Sequence, residues 1–195
     1  LIWAAHNNNL EVTKFLVQKG ADISIKDDRG NTPLMRAACM VSLDVAKFLV
    51  EKGADVNAKD DEGETPLGRI AGYDFCPGMV KFLVEHGADV NAKSKNGRTP
   101  LREAALGHQW DTFKFLVDTG ADVNGGCADD STPLMWVAAG GQSNLVRLLV
   151  EKGANVNPKV KNGDTPLMLA ESCYGDLSDI VKFLVDKGAD VNASD

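Results

Sequence analysis

Three histidines, four cysteines and a recurring series of aspartates are the side chains of this sequence whose types could do chemistry. An imidazole within hydrogen-bond reach of a reacting group serves as a general base, and thiols or imidazoles at short spacing hold zinc. Neither arrangement is written here. His86 stands just before a glycine, at a position that other segments fill with Lys19, Lys52, Thr119, Lys152 and Lys187, while His6 and His108 fall near the ends of another set of segments. A polar or cationic group at such a place complements the negative end of a helix, so His86 is read as a helix-end residue and not as a base. Cys39, Cys76, Cys127 and Cys173 lie 37, 51 and 46 residues apart, without a Cys-x-x-Cys or Cys/His spacing, and are read as free thiols. Free thiols fit a reducing compartment. Asp22, Asp55, Asp89, Asp122 and Asp190 each follow a Gly-Ala pair. A carboxylate demanded at regular intervals by the architecture is poor ground for one active site. GxGxxG, Walker A, HExxH and GxSxG segments are all missing. The sequence therefore assigns no catalytic residue, no cofactor and no metal ligand, and predicts a protein that is not an enzyme.

The 195 residues carry 21 Lys and Arg against 28 Asp and Glu, a formal net charge of -7. Nucleic-acid affinity rests on cations that displace counterions, so this balance excludes a phosphate-reading surface and favours a basic or neutral partner. A column of cations does recur at Lys14, Lys47, Lys81, Lys114, Arg147 and Lys182. Four residues on stand Gln18, Glu51, Glu85, Asp118, Glu151 and Asp186, so the column reads as a charge-balanced, solvated wall. Neither an apolar run of 18 residues nor a leader peptide is present, which predicts no membrane span. The expectation is a cytoplasmic, monomeric protein, with a secreted effector as the alternative. The opening at Leu1 without a Met suggests a fragment.

Internal repetition organises the chain. Thr-Pro-Leu begins at Thr32, Thr65, Thr99, Thr132 and Thr165, at intervals of 33, 34, 33 and 33 residues. Gly-Ala-Asp or Gly-Ala-Asn recurs at Gly20, Gly53, Gly87, Gly120, Gly153 and Gly188. The threonine suits an N-cap and the proline a first helical position, where its missing N–H costs nothing. A second helix follows, as in Asp44 to Lys52, and Gly53 can take the left-handed conformation that ends it. Asn, Asp and Gly in residues 54–63 then predict a turn-rich loop. Helices of roughly ten residues are too short to be stable alone in water, so each unit must borrow stability from its neighbours.

Thr-Pro-Leu opening one helix, Phe-Leu-Val-x-x-Gly-Ala-Asp-Val-Asn closing the next, and a 33-residue period together resemble ankyrin repeats. The resemblance implies an all-α ankyrin-repeat solenoid of about six stacked helix-turn-helix units joined by short β-hairpin-like loops. It would form one domain over residues 1–195, with units at about 1–24 (truncated), 25–57, 58–91, 92–124, 125–157 and 158–195. The family places His after Thr-Pro-Leu, where this chain has Met35, Gly68, Arg102, Met135 and Met168, so the threonine–histidine hydrogen bond is in question. Asp130 replaces a turn glycine and predicts a distorted hairpin there. The columns of Phe15, Phe48, Phe82, Phe115, Leu148 and Phe183, and of the leucine after each, are assigned to the core, as is Trp110. Neither end carries a polar capping unit, which predicts continuation of the chain or contact with another chain.

The resemblance also implies a scaffold that binds a protein or peptide through its concave face and loop tips, or else the recruiting or regulatory part of a larger enzyme, effector or channel. One first-helix column holds Trp3, Arg36, Arg69, Glu103, Trp136 and Leu169. A position that accepts Arg and Glu reaches solvent, and Trp and Arg are enriched at binding hot spots. Trp136 has two readings: a contact residue, or a ring packed across Gly107 or Gly140. Loop tips supply a second candidate surface, at Asp28, Arg29, Asp61, Glu62, Lys95, Asn96, Asp129, Asp130, Lys161 and Asn162. Inserted residues lengthen two helix-to-helix turns and bring Tyr73, Phe75 and Tyr174, which are expected to pack inward, contact being the alternative.

Overall fold

A computed structural model describes residues 1–74, 77–126, 130–158, 160–161, 163–171 and 178–193. These form twelve helices, with no strand among the described residues: α1 (Ile2–His6), α2 (Leu10–Gln18), α3 (Pro33–Cys39), α4 (Leu43–Glu51), α5 (Pro66–Ile70), α6 (Pro77–Glu85), α7 (Pro100–Leu106), α8 (Trp110–Asp118), α9 (Pro133–Ala139), α10 (Ser143–Glu151), α11 (Pro166–Glu171) and α12 (Ser178–Asp186). The chain divides into two compact units, residues 1–112 and 113–195. In the first, α1, α3, α5 and α7 pack side by side in that order, and α2 packs on α4. In the second, α9 packs on α11 and α10 on α12. Leu34, Met35, Leu49, Leu67, Ile70, Met79 and Leu83 fill the first core, and Phe113, Leu116, Leu134, Leu149 and Ile180 the second. Each such side chain contributes about 1.5–3 kcal/mol through burial, which five- to nine-residue helices could not supply alone.

The helix starts follow from the repeated threonine. The hydroxyls of Thr32, Thr65, Thr99 and Thr165 accept the amides of Met35, Gly68, Arg102 and Met168 at 3.1–3.3 Å. Met35 also takes over the role expected of histidine: its Sδ accepts the Thr32 amide at 3.4 Å, closing a reciprocal cap with sulfur as the acceptor. The helix stops follow from the repeated glycine. Gly53 sits at φ +92°, its N–H donates to the Val50 carbonyl, and the Ala54 N–H reaches back to Leu49. The aspartates after Gly-Ala have a structural task, since Asp55, Asp89 and Asp122 each accept the amide two residues on at 2.8–2.9 Å. Successive loops are tied by asparagine: the Asn57 amide group donates to the Gly87 carbonyl at 2.9 Å and accepts from the Asp89 N–H at 2.8 Å. Asn157 does the same with Gly188 and Asp190.

Three expectations are corrected. The leucines after the Phe column are core from Leu49 onward, but the rings themselves are not: Phe48, Phe115, Leu148 and Phe183 are half-buried, Phe15 is 56% exposed, and only Phe82 is buried. The rings stay apolar because cations one turn later lie over them, Lys19 on Phe15, Lys52 on Phe48 and Lys187 on Phe183, at 5.6–5.8 Å. His86 belongs to this column: its ring lies 4.2 Å from that of Phe82 and its Nδ1 2.8 Å from the Phe82 carbonyl oxygen, which matches the helix-end reading. Trp110 is half-buried, edge-on to His108 at 5.5 Å, and not a core residue. Tyr73 is 52% exposed instead of packing inward, standing past the end of α5 at Ile70 where no helix face turns it to the core; Phe75 and Tyr174 lie outside the described residues. Of the charge column, Lys81–Glu85 and Lys114–Asp118 pair as expected, Lys14 turns back to Glu11, and Arg147 instead lies over Phe183 at 4.4 Å. Cys39 is a free thiol, and the other three cysteines lie outside the described residues.

Candidate functional site

The first-helix column is tied to the loop that precedes each helix. Asp27 Oδ1 accepts the amides of Arg29 and Asn31, which shapes the loop tip, while its Oδ2 accepts Nε and Nη2 of Arg36 at 3.0 and 2.5 Å. Asp60 repeats the pattern with the amides of Glu62 and Glu64 and with Arg69 at 2.9 and 2.6 Å. One carboxylate thus folds the tip and clamps it to the helix. In the following loop Ser94 stands in place of the aspartate and accepts the Arg98 amide, and Glu103 stands in place of the arginine. Trp136 fits the same logic in the second unit, where it is half-buried and its indole N–H donates to Ser131 Oγ at 2.9 Å. Leu169 is half-buried, with Val160 nine residues before it.

Burial works against the ionised form of Asp27, but the Arg36 guanidinium and the Asn31 and Arg29 donors outweigh it and hold the carboxyl well below its ordinary value of 3.8. Below that value the native state binds fewer protons than the unfolded chain, so this contribution is complete above about pH 5 and disappears as acidification approaches the folded-state pKa. Urea unfolding of the wild type and Asp27→Asn is expected to show a stability gap of about 1–2 kcal/mol near pH 7 that closes progressively below about pH 4. A gap independent of pH would remove Asp27 ionisation from the clasp.

The loop tips are solvent-facing. Asp28, Arg29, Asp61, Glu62, Lys95, Asn96 and Lys161 are exposed, and Asp129 and Asn162 lie outside the described residues. Adjacent tips are linked, Asp61 N–H to the Arg29 carbonyl at 3.1 Å and Lys95 N–H to the Glu62 carbonyl at 2.9 Å. In the second unit Lys161 pairs with Asp130 at 3.1 Å. Asp130 adopts φ +60°, the left-handed conformation its glycine counterparts Gly30, Gly63 and Gly97 hold at +70 to +75°, while residues 127–129 of the expected distorted hairpin lie outside the described residues.

Two clefts bring the candidate residues together, both in the first unit. One, of about 520 Å³, lies beside α1 and joins Trp3, 75% exposed, with His6, Asp28, Arg29 and the Asp27–Arg36 clasp. The other, of about 380 Å³, lies between α5 and α7 and joins Glu64, Arg69, Arg98 and Glu103 over Gly68, Gly72 and Gly107. Tyr73 and Leu106, 52% and 57% exposed, flank it. Its charges come as two pairs of reversed sense: Glu64 before Arg69 at 3.6 Å, and Arg98 before Glu103 at 3.8 Å. Glu103 Oε1 is buried without a hydrogen-bond partner. Burial pushes the Glu103 carboxyl up, Arg98 and Arg102 oppose this, and Glu64 adds to it. Column comparison pointed to Arg69 and Glu103; it missed Tyr73, Leu106 and the glycine floor, for which Gly68 among Met35, Arg102, Met135 and Met168 was the available signal.

The family model for ankyrin repeats matches three times, over residues 1–60, 57–127 and 124–195, and so spans the chain from end to end. The chain belongs to the ankyrin-repeat family. Comparison with curated proteins finds no match. Ankyrin repeats are generally protein–protein interaction modules and typically non-catalytic. The all-helical architecture is that of the family, with Met35 as sulfur acceptor in place of the family's histidine. Among the described residues no helix is long and apolar enough to cross a membrane.

Proposed function

We propose that this ankyrin-repeat chain binds an extended segment of a partner protein along the face formed by α5, α7 and the loop tips before them, Asp61, Glu62, Lys95 and Asn96. The observation that carries the reading is the α5–α7 cleft, where two exposed apolar side chains, Tyr73 and Leu106, stand over a glycine floor. Apolar anchors beside convergent polar groups are the usual anatomy of a recognition site. Trp3, Arg36, Asp28 and Arg29 extend the same kind of surface within the first unit, and Trp136, Leu169, Asp130 and Lys161 provide its counterpart in the second.

A displayed random-peptide library panned against the chain tests this. Peptides selected on the wild type are expected to bind the Tyr73→Ala, Leu106→Ala double variant about tenfold or more weakly, while the unfolding midpoint stays unchanged, because both side chains are exposed. Undiminished binding by the double variant would place recognition elsewhere.

A further inference from the structure

The α5–α7 cleft carries a sign as well as a shape. Asp60 and Arg69 neutralise one another, since both Nε and Nη2 of Arg69 are directed to Asp60 Oδ2. With Arg69 held by Asp60 and only 3.6 Å from Glu64 as a second, longer contact, Glu64, Glu103 and Arg98 remain at the opening. Arg98 Nε stops 3.8 Å from Glu103 Oε1, an ion-pair contact beyond hydrogen-bond reach, and the oxygen remains buried without a hydrogen bond. A buried carboxylate oxygen without a donor is costly, and a donor brought by a ligand removes that cost. Arg102 acts on Glu103 but does not line the cleft.

The room for such a donor comes from Gly68. At the corresponding position the other repeats have Met35, Arg102, Met135 and Met168, and the described Met35 is fully buried. Here the long side chain is missing, although a Cβ at Gly68 would meet nothing closer than Thr65 Oγ1 at 3.5 Å. Glycine inside a helix is destabilising relative to alanine, and packing does not require it at this point. The absent side chain keeps the cleft open beside the two glutamates.

We infer that the cleft receives the lysine or arginine side chain of a partner's extended segment, its charged end between Glu64 and Glu103 and its aliphatic stem between Tyr73 and Leu106. This rests on the binding face proposed above. The chain's net charge of -7 favours a basic ligand. A guanidinium or ammonium group also brings the donors that Glu103 lacks.

The test uses peptides from the same library. Those selected on the wild type are expected to share one Lys or Arg, and replacing it by norleucine or citrulline should weaken binding about tenfold or more. Glu103→Gln and Gly68→Met are each expected to cause a comparable loss with the basic peptide, and Glu103→Gln no further loss with its neutral analogue. Circular dichroism and the unfolding midpoint check that both variants fold; Met is the residue the fold already uses at that position in three other repeats. Binders that depend on Tyr73 and Leu106 but lack a shared basic residue, or ignore Glu103→Gln and Gly68→Met, would overturn this inference and leave the binding face standing. Binders indifferent to Tyr73 and Leu106 would overturn both.

Discussion

Asp60→Ala is expected to destabilise the first unit by about 3 kcal/mol. The Asp60 side chain is completely buried and accepts four hydrogen bonds, two from the loop amides of Glu62 and Glu64 and two from Arg69. Deleting it leaves two amides without acceptors and Arg69 without its close counter-ion, with Glu64 at 3.6 Å as an imperfect replacement. Asp60→Asn keeps the shape but turns an amide donor or a neutral oxygen toward the guanidinium, so most of the loss is expected to remain. The equivalent change at Asp27 should cost less, because that pair is 21% and 30% exposed and water screens it. Urea unfolding near neutral pH measures the difference. Hydrogen exchange adds a local readout: the Asp61 and Lys95 amides, which join adjacent tips, should lose protection together. A loss below about 1 kcal/mol would mean that the tip is held by its backbone links and not by the carboxylate.

What the sequence made legible was everything that recurs down a single column. The period, the threonine caps, the glycine stops and the aspartates after Gly-Ala each repeat because each unit needs the same local bond, and they appear where expected except at Thr132, whose hydroxyl makes no cap hydrogen bond. What it hid was coupling between columns. The column of Arg36 and Arg69 also holds Trp, Glu and Leu, so by itself it looks like a solvent-reaching position under no constraint. Each arginine is in fact matched to a loop residue nine positions earlier, Asp27 and Asp60, while Ser94 precedes Glu103 and Val160 precedes Leu169. In the two repeats with arginine the variation is paired, so one column alone looks free. The Phe column failed in the opposite direction. Its constancy suggested a core, but an aromatic ring under a lysine on an outer helix face is just as constant. Tyr73 was misplaced because an insertion has no counterpart in the other repeats to compare it with. For the candidate site, Arg69 and Glu103 were visible as an irregular column, whereas the closeness of Gly72 to Gly107 depends on backbone approach, which residue types do not encode.

That approach sets the second large effect. Gly107 has φ -80°, a value open to any residue, so its glycine is a matter of space and not of backbone conformation. A Cβ there would lie 2.0 Å from the Gly72 carbonyl oxygen and within 2.8 Å of the Gly72 backbone carbons. A Cβ on Gly72 would in turn lie 2.7 Å from the Glu103 carbonyl oxygen. These neighbours are main chain and cannot rotate aside. Gly107→Ala must therefore push the end of α7 away from the turn after α5, at an expected cost of about 3 kcal/mol, the upper end of the usual range for overpacking. Gly68→Ala is the matched control. Its added methyl meets ordinary van der Waals space inside a helix, so it should stabilise the protein by about 0.5–1 kcal/mol. Two glycine-to-alanine changes on the floor of one cleft are thus expected to have opposite signs, readable from unfolding midpoints measured side by side. If Gly107→Ala unfolded at the wild-type midpoint, the turn would be free to shift, and the backbone approach of Gly72 to Gly107 would not fix the floor of the cleft.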